Sequence, residues 1–211
     1  MDNPLNNRHV YVVDDDRDVR CSISFMLGTA DLSPRPFCTG QDFLDSLPEL
    51  EPGCVLLDLR MPELDGFQVL ARLAEREVDW PVLAMTGHGE VPVAVRAMKM
   101  GAIDFIEKPF EEEALLDSLA RGFSMLKERG EQKEQGHAAR ALLDLLTVRE
   151  REVLEGLMAG LSNKHLARQL GISLRTVEMH RANMMTRLDA GSLAEAVTLA
   201  VRAGLSPGNR N

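Results

Sequence analysis

Cys54-Val55-Leu56-Leu57-Asp58 reads as four apolar residues closed by a carboxylate, and the fold turns on that short run. A half-buried strand alternates apolar with polar residues. A strand that is apolar at every position has both faces covered, as in a parallel sheet between two layers of helix. The pattern recurs on either side. Val10-Tyr11-Val12-Val13 is a second apolar run and ends in Asp14, Asp15 and Asp16. Val19, Ile23, Met26 and Leu27 then repeat at helical spacing. Beyond Asp58, Leu70 and Leu73 mark a helix, Pro81 to Met85 a strand, Val91 to Met100 a helix and Ala102 to Ile106 a last strand. Leu115, Leu116, Leu119, Phe123 and Leu126 carry an amphipathic helix after it. Repeated strand–helix units imply a parallel sheet with helices on both faces.

One strand candidate, Leu32 to Phe37, contains Pro34 and Pro36. Proline cannot donate to a ladder, so this strand is expected at an edge. A flavodoxin-like α/β domain with sheet order 2-1-3-4-5 puts its second strand there. The expected layout is a (βα)5 domain over residues 1–126, a partly helical linker over 127–145 and a second domain over 146–211. The linker is charged, polar and interrupted by Gly130 and Gly136.

From Thr147 the pattern is all-helical. Thr147 and Glu150 form a capping box. Gly160 and Gly171 stop helices, Ser162 and Ser173 start them, and Asp189 to Ser192 lead into a fourth. Helix, short Gly-containing turn, helix is the helix-turn-helix pattern. The 211 residues therefore divide between two domains.

Charge divides them too. Residues 1–129 hold 13 basic and 24 acidic residues, a net of −11, whereas residues 147–211 hold nine and six, a net of +3. The acidic excess is thus confined to the first part and the last third is mildly basic, which fits two domains facing different partners. No run approaches the ~20 apolar residues of a membrane span, so no membrane partner is expected. The polar start, Met1 to Arg8, does not match a signal peptide. Cys21, Cys38 and Cys54 lack metal spacing and read as reduced thiols, mostly in the core, of a cytoplasmic protein. The five histidines give no paired-ligand pattern, which argues against a structural transition-metal site. His88 reads as a loop residue.

In an open α/β sheet, ligands bind beyond the carboxyl ends of the strands. Those ends carry Asp14, Asp15 and Asp16, then Asp58, Thr86 and Lys108. Converging carboxylates repel unless a cation sits among them, and a few hard oxygen ligands suit Mg2+. A carboxylate can attack phosphorus and form an aspartyl phosphate. Lys108 and Thr86 supply an ammonium and a hydroxyl for the phosphoryl oxygens. Asp16 has a second reading, as the cap of the helix near Val19.

Residues 8–127 resemble the receiver domain of two-component response regulators. The resemblance rests on Val12 to Asp16, Leu57 to Gly66, Met85-Thr86-Gly87-His88-Gly89 and Glu107-Lys108-Pro109-Phe110. It implies that Asp58 is the phosphoacceptor and that Asp14, Asp15, Asp58 and the Arg60 carbonyl hold Mg2+. It implies that Thr86 and Lys108 bind the phosphoryl group, that Lys108-Pro109 is a cis peptide and that Thr86 and Phe105 are the switch. The rival is an aspartate-nucleophile phosphatase of the haloacid-dehalogenase type, which uses D-x-D-x-[TV] after the first strand. Asp14-x-Asp16 fits that element, but Asp18 stands where Thr or Val is required.

Residues 147–205 resemble the LuxR-type helix-turn-helix domain, through Leu146 to Leu154, Gly160 to Ala167 and Ile172 to Arg181. The whole chain thus resembles FixJ-type regulators, with Glu178 and His180-Arg181-Ala182-Asn183 pointing to that branch. A helical wheel puts Val177, Met184 and Leu188 inward and Arg175, Met179, Ala182 and Thr186 outward, flanked by Glu178 and Asn183. Arg175, Glu178, Met179 and Asn183 form the base-facing set. Ser162, Lys164, Arg168 and Arg181 form the phosphate set, which Arg175 is also placed to join. The resemblance implies a sensor histidine kinase, double-stranded DNA and RNA polymerase as partners. It further implies a homodimer through Val91, Val95, Met98 and Ile103. A regulator that ignores phosphate is the other alternative.

Overall fold

The computed structural model describes residues 8–87 and 91–206. The expected readings of His88 and of the residues up to Asn7 lie outside that range. The chain divides into two compact units, 1–129 and 130–211.

The first unit contains five parallel strands: β1 (His9–Val13), β2 (Ser33–Phe37), β3 (Cys54–Asp58), β4 (Val82–Thr86) and β5 (Asp104–Glu107). Their order is β2-β1-β3-β4-β5, with Pro34 and Pro36 on the edge strand. Helices α1 (Arg17–Thr29), α2 (Gly40–Ser46), α3 (Gly66–Glu75), α4 (Val91–Lys99) and α5 (Glu112–Asp144) follow the strands in turn. Successive strand residues point to opposite faces. Tyr11, Val13, Val55, Leu57, Val82 and Ala84 thus join a core with α2 and α3. Val10, Val12, Cys54, Leu56, Leu83 and Met85 join a second core with α1 and the start of α5. Both cores exclude water, which is why β3 tolerates no polar residue before Asp58. Burying each large side chain contributes ~1.5–3 kcal/mol.

One expectation, that the cysteines lie mostly in the core, needs correction. The polar stretch over 127–145, expected as a partly helical linker, is helical through Asp144, because α5 is continuous from Glu112. Its Glu, Lys, Gln, Arg and Ala residues favour helix strongly enough to carry Gly130 and Gly136. Only Cys54 is a core thiol, since Cys21 lies on the outer side of α1 and Cys38 in the β2–α2 loop, both exposed. Burial pushes the Cys54 thiol up to about 12.

The second unit contains α6 (Val148–Met158), α7 (Asn163–Leu170), α8 (Leu174–Arg187) and α9 (Leu193–Arg202). Thr147 and Glu150 close a capping box, and Ser162, Ser173 and Ser192 cap the next three helices. Gly171 ends α7 at φ +67°, a left-handed conformation that costs glycine little. Ala139 and Leu143 from the end of α5 pack with Leu154, Met184, Leu188 and Ala196. No helix among the described residues is long and apolar enough to cross a membrane.

Candidate acidic site and nucleic-acid interface

The strand ends bring Asp14, Asp15, Asp58, Thr86 and Lys108 to one edge of the sheet. Asp14 and Thr86 are fully buried and Asp58 nearly so, while Asp15 is exposed. Lys108 Nζ lies 2.5 Å from Asp14 Oδ2 and 2.8 Å from Asp58 Oδ2. The other oxygens are held by main-chain donors. Asp16 N donates to Asp14 Oδ1 at 2.9 Å, and Arg60 N donates to Asp58 Oδ1 at 3.0 Å. Asp16 also serves as the cap of α1, accepting from Asp18 N and Val19 N. The loop after β3 returns tightly. A Cβ on Gly66 would meet the Asp58 carbonyl oxygen at 2.4 Å, so only glycine starts α3 there.

Burial raises the pKa of Asp14, against the opposing hydrogen bonds from Lys108 and Asp16. Burial alone would lower Lys108, but hydrogen bonds to Asp14 and Asp58 outweigh it and its pKa is raised. The two do not shift as an isolated ion pair would. Asp14 loses all its water, whereas Lys108 serves two acids.

Asp14, Asp15 and Asp58 each offer a carboxylate oxygen, all within 4.8 Å of one another. Three carboxylates against one ammonium leave a net negative charge in a partly dehydrated corner. Hard oxygen donors of that number fit a small divalent cation that keeps several waters. Phe105 is half-buried and packs against the core beside α3, and the Lys108–Pro109 peptide is cis. Val91, Val95 and Met98 are exposed on α4, whereas Ile103 is half-buried and packs against the core around Phe123.

The site also holds a contact that the sequence did not single out. Arg20, one turn into α1, donates from Nη1 to the Asp14 carbonyl oxygen at 2.6 Å. Side-chain to main-chain contacts of this kind leave no periodic trace in a sequence.

In the second unit, α7 and α8 are joined by the short turn at Gly171 to Ser173. Val177, Met184 and Leu188 are buried, and Arg175, Glu178, Met179, Ala182, Asn183 and Thr186 are exposed. Ser162, Lys164 and Arg168 are exposed around α7, and Arg181 is half-buried on α8. An amphipathic helix with its polar side uncovered is what a major groove admits.

Two family profiles match the chain. The response regulator receiver domain matches residues 10–120, and the family described as bacterial regulatory proteins, luxR family, matches residues 144–200. The transcriptional regulatory protein FixJ of Bradyrhizobium diazoefficiens is 47% identical over 197 residues, which are 93% of this chain and 96% of that protein. The low-resolution structure of the response regulator StyR is similar at a TM-score of 0.76 and 38% identity, over 93% of this chain and 99% of that one. Full-length FixJ from B. japonicum gives a TM-score of 0.58 at 47% identity, over 93% and 97%.

Proposed function

The chain belongs to the response regulators that join a receiver domain to a LuxR-type DNA-binding domain, and from that membership we propose that phosphorylation of Asp58 switches its binding to DNA. The family regulates transcription and is not one of turnover enzymes. A receiver takes its phosphoryl group from a histidine kinase, and a LuxR-type domain binds DNA. We assign the receiver to residues 1–126, a linking segment to 127–145 and DNA binding to 146–211.

The observation that carries the reading is Lys108 Nζ held between Asp14 and Asp58. In the proposed reaction, an Asp58 carboxylate oxygen attacks phosphorus as the bond to the donor breaks. The Lys108 ammonium and the Thr86 hydroxyl face the phosphoryl oxygens. Asp14, Asp15, Asp58 and the Arg60 carbonyl would hold Mg2+, which supplies positive charge against those oxygens when bound. A Cβ on Gly87 would meet nothing within 4 Å, so an attacking water has room beside Thr86 and loss of the phosphate by hydrolysis is expected.

Thr86 then moves toward the phosphate and Phe105 turns inward. The exposed Val91, Val95 and Met98, with Ile103 at their edge, pair with a second copy. A two-fold dimer presents two α8 helices to half-sites about one helical turn apart. Arg175, Glu178, Met179 and Asn183 face bases, and Ser162, Lys164, Arg168 and Arg181 face phosphates. The bound dimer would act on RNA polymerase in the cytoplasm.

Intact-mass measurement after incubation with acetyl phosphate tests the reading. The expected result is a Mg2+-dependent gain of one phosphoryl group in the wild type and none in Asp58→Asn. A gain in Asp58→Asn would refute the assignment. No gain in folded wild type would favour a regulator independent of phosphate.

A further inference from the structure

We propose that Arg20 is a positioning residue of the acidic site, holding the Asp14 main chain so that the Asp14 and Asp15 carboxylates are set for a divalent cation. The proposal rests on the reading of that site given above. The ladders of β1 end at Val13, paired with Phe37 on one side and Leu57 on the other. Asp14 N still reaches Phe37 O at 3.2 Å. The Asp14 carbonyl, however, lies past the last β3 partner, and Asp14 is fully buried. A buried carbonyl needs a donor, and Arg20 Nη1 is that donor at 2.6 Å.

The geometry fastens the acidic loop to α1 at both ends. Asp16 is fixed as the cap of α1, and its carbonyl accepts from Arg20 N at 3.1 Å. Asp14 is fixed by the Arg20 side chain. Asp15 lies between two anchored residues and its carboxylate joins Asp14 and Asp58 within 4.8 Å. Among the described residues Arg20 pairs with no carboxylate, whereas Lys108 pairs with two. Arg20 therefore acts on where the acids sit and leaves the charge balance to Lys108. Partners that orient metal ligands from outside the coordination shell typically carry 10–100-fold of metal affinity.

Titration calorimetry of Mg2+ into the unphosphorylated full chain is the test. Arg20→Met keeps the aliphatic stem and removes the donors. It is expected to weaken Mg2+ binding about tenfold, with the wild-type circular dichroism spectrum retained. Arg20→Lys is expected to recover part of the loss. Phosphorylation by acetyl phosphate at saturating Mg2+ should stay within about twofold of wild type, because the defect lies in binding and not in the later step. Unchanged Mg2+ affinity in Arg20→Met overturns the proposal. So does normal affinity with phosphorylation lost at saturating Mg2+, which would place Arg20 at the phosphoryl group. If Arg20→Met does not fold, Arg20→Ala takes its place under the same two outcomes. Wild type that binds no Mg2+ overturns the reading of the acidic site, and the positioning role with it.

Discussion

Lys108 stands between two buried carboxylates, and its charge decides how the site responds to perturbation. With its pKa raised, the group contributes stability that is fully present below the unfolded value of ~10.4. That contribution is lost as pH rises through the folded value. Asp14 is raised as well, by burial first, so its ionised form is a cost near neutral pH that Lys108 offsets. Removing one partner of a buried pair leaves an uncompensated charge. Lys108→Ala is therefore expected to lose ~3 kcal/mol in urea unfolding without Mg2+. Mg2+ should recover more stability in the variant than in wild type, since it replaces the missing cation. A loss insensitive to Mg2+ would contradict this charge balance. Asp104 behaves oppositely. Burial pushes its pKa up, but hydrogen bonds from Ser118, the Phe105 amide and Arg121 outweigh it and lower the pKa. Its contribution is present above the ordinary carboxylate value of ~3.9 and is lost as pH falls through the depressed value. Asp104→Asn should flatten the acid limb of Tm against pH below ~4. An unaltered limb would show that the Ser118 and Arg121 contacts do not persist in solution.

At the scale of elements, α5 gives the clearest stability test. Gly130 is exposed within it, and a Cβ there would meet nothing within 4 Å. Gly130→Ala should raise stability by ~0.5–1 kcal/mol, since glycine in a helix costs about that much. Thermal unfolding followed at 222 nm checks it, and destabilisation would show that the helix is broken there. The same element shows where sequence reading stops. Strand ends were legible because burial on both faces keeps each strand apolar up to its end, so the first polar residue, Asp14, Asp58 or Thr86, marks that end although it is itself buried. Thr147, Ser162 and Ser173 were legible because a cap needs a short side-chain oxygen at one position. The run through Gly130 and Gly136 gave only a partly helical linker because glycine is ambiguous when the flanking residues favour helix. The cysteines were read as mostly core thiols because free cysteine is among the most buried residue types, whereas Cys21 falls just outside the stripe of Ile23 and Leu27. Within α7 and α8, Lys164→Ala should lower the salt slope of DNA binding by about 1 without altering sequence preference. Asn183→Ala should relax preference at one position of the operator, measurable by competition with singly substituted sites. Equal losses on every sequence would remove Asn183 from the base-facing set.

The whole molecule is electrically lopsided. Residues 1–129 carry a net of −11, whereas residues 130–211 hold 11 basic and nine acidic residues, a net of +2. DNA is a line of negative charge, and its attraction for the second unit is opposed by the field of the first. The opposition needs no contact between the units, only a distance comparable to the Debye length, which is ~30 Å at 0.01 M salt and ~8 Å at 0.15 M. The second unit has its own cores around Leu154 and Val177, so a 130–211 fragment keeps the packing that orders α8. That fragment is expected to bind DNA of random sequence several-fold tighter than the full chain at ~0.01 M salt, with the gap closing by ~0.15 M. Fluorescence anisotropy on one labelled duplex across that range measures it. A gap that closes with salt assigns the restraint to the acidic field of the receiver. A gap that persists at ~0.15 M assigns it to direct covering of α8, and phosphorylation would then act by uncovering the helix.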